Sequence, residues 1–93
     1  MTHRPPPYPY AGAPGVHIIL TPSVGGYFDL IVWAGVSQHK AAEAWAAAGA
    51  RYGNVFAQVW YDDSVKRATW SALWDNLHTT TTEAPLPSLP PWT

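Results

Sequence analysis

The chain opens its patterned part with Val16-His-Ile-Ile-Leu-Thr21, a β-branched run closed by the turn formers Pro22, Ser23, Gly25 and Gly26. That pattern predicts a strand ending in a turn. Tyr27-Phe-Asp-Leu-Ile-Val-Trp-Ala34 is a second such run, and the five residues between the two suit a hairpin loop, so an antiparallel pair is expected. Ser37 can then cap a helix through Gln38–Ala48, in which Ala41, Ala44, Trp45 and Ala48 share one face and Gly49 or Gly53 supplies the stop. Asn54-Val-Phe-Ala-Gln-Val-Trp-Tyr61 alternates as a third strand. Asp63 or Ser64 would cap a second helix to about Leu77, with Trp70, Leu73, Trp74 and Leu77 along a stripe.

The order β-β-α-β-α predicts a small two-layer α+β sandwich, a three-stranded sheet with both helices on one face, because a core this small needs both helices to close it. Nine of the ten prolines lie outside that region, at Pro5–Pro14 and Pro85–Pro91. Such segments keep no hydrogen-bond ladder and favour extended polyproline II. The expected division is therefore a Pro-rich N-terminal arm at 1–15, an α+β domain at 16–78, and a Thr- and Pro-rich C-terminal arm at 79–93.

Strand alternation sorts the side chains into two sets. Val16, Ile18, Leu20, Phe28, Leu30, Val32, Ala34, Val55, Ala57, Val59 and Tyr61 are nearly all aliphatic or small, and are expected beneath the helices. His17, Ile19, Thr21, Tyr27, Asp29, Ile31, Trp33, Phe56, Gln58 and Trp60 mix aromatic and polar groups, and are expected on an open face. Aromatic anchors flanked by a few polar groups have the composition of protein-interface hot spots. The candidate protein-binding residues are thus Tyr27, Asp29, Ile31, Trp33, Phe56, Gln58 and Trp60, joined by Tyr8, Tyr10 and Trp92 from the arms.

Composition narrows the chemistry. Charged residues make up 12% of the 93 and the formal charge is -1, so no basic field exists to recruit nucleic acid or anionic lipid. With no cysteine, thiolate zinc sites, disulfides and cysteine nucleophiles are excluded. The four histidines are scattered, and His39 with Glu43, one helical turn apart, reads as a surface pair rather than a metal site. Asp62 and Asp63 would pair with Lys66 and Arg67 around the start of the second helix, where a bound anion is the alternative. Pro5-Pro-Pro-Tyr8 resembles the ligand read by WW domains, a match of four residues. No nucleophile, acid–base or phosphate-loop motif occurs.

The expected role is a non-catalytic structural subunit of a large assembly, a virion or phage-like particle foremost, docking on other protein subunits through the aromatic face and the arms. Neither cofactor nor metal, nucleic acid nor membrane enters this expectation, and virion or cytoplasm is the expected location. A free adaptor or inhibitor of one protein, or a small-ligand or anion-binding domain, are the alternatives.

Overall fold

A computed structural model describes residues 4–23, 28–62, 64–73 and 76–83. The elements are β1 (Val16–Pro22), β2 (Asp29–Gly35), α1 (Gln38–Tyr52), β3 (Asn54–Tyr61), β4 (Ser64–Ser71) and β5 (Asn76–Glu83). They form one antiparallel five-stranded sheet in the order β2-β1-β3-β4-β5, with a single helix. The three-stranded, two-helix sandwich is therefore incorrect: the element order is as expected through β3, and the expected second helix is replaced by two strands.

Where a second helix was expected, Val65-Lys-Arg-Ala-Thr-Trp70 alternates as a strand. Tyr61 pairs with Ser64, leaving a two-residue turn in which Asp62 takes φ 52°. Aspartate tolerates that left-handed conformation better than most residues, and hairpin turns of this length need it. The apparent helical stripe has the same origin: Trp70 and Leu77, seven apart in sequence, face each other across the β4–β5 hairpin. Leu73 stands exposed at its turn, and Trp74 lies outside the described residues. The Thr79–Thr82 stretch, expected to lead into an arm, belongs to β5.

α1 forms for the reasons legible in its sequence. The Ser37 hydroxyl accepts from the Lys40 amide at 3.2 Å, and Gly53 closes the helix at φ 71° with its N–H on the Gly49 carbonyl. Ala41, Trp45, Ala48 and Gly49 are buried. They rest on Ile19 of β1, Val55, Ala57 and Val59 of β3, and Ala68 and Trp70 of β4. The register puts Ile19 opposite Ala57, and Ala57 opposite Ala68, so these residues share the helix side.

The two-set division holds for β3 and fails for β1. His17, Ile19 and Thr21 lie on the helix side and are buried, while Val16, Ile18 and Leu20 face away from it. His17 is polar, but both ring nitrogens have partners, which removes the usual penalty for burying them. On β2, Val32 is an extra residue at a bulge opposite Ile19 and Leu20. Trp33, expected on the open face, pairs with Ile19 and packs on the core, whereas Leu30, Val32 and Ala34 are exposed rather than covered. Phe28 and Tyr61 are exposed too.

The rest of the cover comes from the N-terminal segment. Tyr8 and Tyr10 belong to the core cluster, with the Tyr8 ring 5.8 Å from that of Trp45 and edge-on to Tyr10. The Trp45 indole N–H donates to the Pro6 carbonyl at 2.8 Å. The Ala13 carbonyl accepts from His17 Nε2 at 2.8 Å and from Gln38 Nε2 at 2.9 Å. With Nε2 carrying the ring hydrogen, His17 Nδ1 accepts from the Tyr8 hydroxyl at 2.6 Å. The segment turns back on itself with the Ala13 N–H on the Tyr10 carbonyl at 3.0 Å, which leaves the Pro6 and Ala13 carbonyls to accept from the side chains of Trp45, His17 and Gln38. The arm is built into the fold as its second covering element.

Candidate functional site

The sheet face turned away from α1 carries Val16, Ile18 and Leu20 of β1, Phe56, Gln58 and Trp60 of β3, and Val65, Arg67 and Thr69 of β4, with Ile31 and Asp29 of β2 beside Leu20 and Pro22. Leu20 and Val65 are buried on it; Phe56, Gln58 and Trp60 are half-buried, and Ile31, Asp29 and Arg67 are exposed. Asp29, Phe56, Gln58, Arg67 and Thr69 line a shallow depression of about 310 Å³. The Trp60 indole N–H donates to Gln58 Oε1 at 3.0 Å, which fixes the ring against its neighbour. This is a mixed surface: aromatic rings flanked by one carboxylate, one guanidinium, an amide and a hydroxyl.

Of the ten candidate binding residues, five come together here: Asp29, Ile31, Phe56, Gln58 and Trp60. Trp33 lies on the opposite face against the core. Tyr8 and Tyr10 are core residues, so the Pro5–Tyr8 motif has its tyrosine enclosed between His17 and Trp45. Burial, and after it the neighbouring Tyr10 phenol, push the Tyr8 hydroxyl well above its ordinary pKa; burial raises that of Tyr10 in the same direction. Tyr27 and Trp92 lie outside the described residues. Arg67 and Thr69 were missed because they were assigned to a helix, although the Val65, Arg67, Thr69 alternation was available to place them.

Compared with protein-family models, curated proteins and solved structures, the chain matches none.

The other candidates resolve locally. His39 Nε2 lies 3.0 Å from Glu43 Oε1 on the exposed side of α1, a solvated pair. No group of three His, Asp or Glu side chains suited to a metal ion occurs among the described residues. The helix start proposed to hold an anion does not exist, since Lys66 and Arg67 lie on β4. Among the described residues, no helix is long and apolar enough to cross a membrane.

Proposed function

We propose that the chain is a non-catalytic structural subunit that docks onto other proteins of an assembly through the sheet face opposite α1. The observation carrying this reading is that Phe56 stands half-exposed in a depression with Asp29, Gln58 and Arg67, and that half-exposed Trp60 further along β3 and exposed Ile31 on β2 share its face. Interface cores favour aromatic residues and arginine with few other charges, and a handful of such anchors supplies most of the binding energy. Neither ring belongs to the buried core, so this face can be altered without dismantling the fold.

The test is a double change, Phe56→Ser with Trp60→Ser, in a tagged full-length chain expressed in its native source. Partner proteins recovered with the parent should be lost, since each anchor contributes about 2 kcal/mol or more, roughly thirtyfold in affinity per residue. Circular dichroism and melting temperature should stay close to the parent. Co-purification of the same partners in the same amounts by the double variant would refute the reading.

A further inference from the structure

We infer that β2 is a self-association edge, pairing antiparallel with β2 of a second copy to join two sheets about a two-fold axis. β2 ends the strand order, and among the described residues no strand pairs with its outer side. Edge strands are ordinarily blunted by lysine, proline or inward-pointing charge. The run Asp29-Leu-Ile-Val-Trp-Ala-Gly35 carries one charge, at its end, and neither lysine nor proline. The opposite edge, β5, is by contrast Asn76-Leu-His-Thr-Thr-Thr-Thr-Glu83.

Trp33 apart, which packs on the core, the apolar side chains of β2 are exposed on both faces. Ile31 is 63% exposed on the open face, and Leu30 and Val32 are 45% and 41% exposed. A bulge often spoils an edge for pairing, but here its extra residue is the exposed Val32 itself. Val32 borders a groove of about 180 Å³ shared with Ala44, Ala47, Ala48, Arg51 and Tyr52 of α1. The edge therefore offers unpaired backbone together with a small-residue seat in the helix layer beside it, so a partner that adds a strand can also extend the apolar layer above.

A second copy meets these requirements. Antiparallel pairing about the middle of the strand sets Asp29 opposite the Trp33–Gly35 end of its partner, so the strand's one carboxylate never faces its own image; like charges directly opposed would be destabilising. The net charge of -1 per chain adds little repulsion. Phe28, Leu30, Ile31, Val32, Val36 and Tyr52 are each 41–74% exposed. At roughly 80–100 Å² apiece they offer about 500 Å² of apolar surface per copy. With the edge backbone added, this approaches the roughly 600–1,000 Å² per partner of specific interfaces. A two-fold axis needs only the one patch, matched to itself.

The experiment is sedimentation of the full chain from micromolar to submillimolar concentration, alongside Val32→Lys, which sets two ammonium groups near the axis and leaves the open face untouched. The parent should reach twice the 10.2 kDa chain mass, and the variant should remain at the single mass with an unchanged circular dichroism spectrum. Amide exchange supplies a measurement on the unmodified chain: β2 amides should slow as concentration rises, and β5 amides should not. A parent that stays at the single mass throughout, a Val32→Lys chain that dimerises as the parent does, or β2 exchange independent of concentration would each overturn the inference. Because Phe56→Ser with Trp60→Ser leaves this edge intact, loss of partner docking and loss of the dimer are separable results.

Discussion

Replacing Tyr8 with alanine tests whether the N-terminal segment is part of the core. Tyr8 is 7% exposed and its ring lies against those of Trp45, Tyr10 and His17, so its removal resembles a buried Phe→Ala change, about 3–5 kcal/mol. The same change leaves His17 Nδ1, in a fully buried ring, without its 2.6 Å donor, which adds about 1–3 kcal/mol. The expected loss of about 4–8 kcal/mol compares with a total stability of about 5–14 kcal/mol for a chain of this length. Tyr8→Ala should therefore lose a large share of the parent's stability, its urea midpoint falling well below the parent's. Tyr8→Phe isolates the hydrogen bond: it should lose about 1–3 kcal/mol, lowering the melting temperature by roughly 5–20 °C. Urea unfolding followed by far-ultraviolet circular dichroism and tryptophan fluorescence measures both. If Tyr8→Ala unfolds within about 0.5 kcal/mol of the parent, the segment is a peripheral arm and the packing argument fails.

Among the described residues, the Tyr10 hydroxyl is the buried side-chain polar atom without a hydrogen-bond partner, so Tyr10→Phe should be neutral or stabilising by up to about 1 kcal/mol in the same urea assay. Gly15 has φ 111°, and a Cβ there would sit 2.3 Å from the Trp60 carbonyl oxygen; Gly15→Ala should cost about 2–5 kcal/mol, and a parent-like melting temperature would contradict this. Because the folded state raises the pKa of the Tyr8 phenol above its ordinary 10.0, its contribution to stability is fully present below pH 10 and is lost as pH rises beyond it. Melting temperature should fall on that alkaline limb in the parent and fall less in Tyr8→Phe.

Local signals located β1, β2, α1 and β3 closely, because each rests on features that act over a few residues: a β-branched run, a serine cap, a glycine stop, strict alternation. The remainder depended on partners remote in sequence. Val65-Lys-Arg-Ala-Thr-Trp70 reads as a helix if Trp70 and Leu77 are taken for neighbours on one turn-by-turn stripe, and as a strand once they are seen across a hairpin. His17 looked like a surface position because nothing nearby announces that Tyr8 and the Ala13 carbonyl will satisfy it. That single misplacement turned the whole of β1 over, moving Val16, Ile18 and Leu20 to the wrong side. Of the candidate surface, Phe56, Gln58 and Trp60 followed from alternation alone, whereas Arg67 and Thr69, alternating in the same way, were hidden by reading their stretch as a helix. Composition correctly marked the segment before residue 15 as proline-rich, but it carried no sign that the exposed carbonyls of such a segment would serve Trp45 and Gln38.

The strand order has a consequence for how the chain can be divided. β1 with β2, and β3 with β4 and β5, are each neighbours in sequence as well as in space; the β1–β3 ladder alone joins the two groups across α1. Loop-closure entropy for sheet assembly is thus concentrated in one junction, and the others close locally. Cutting the backbone between Gly53 and Asn54 would leave one fragment holding the hairpin, the helix and the tyrosine-bearing segment, and another holding a three-stranded meander. Neither could bury its apolar face alone, because Trp45 and Ile19 belong to the first and Val55, Ala57, Ala68 and Trp70 to the second. Such halves have the character of a split reporter, silent apart and ordered only when brought together along a single seam.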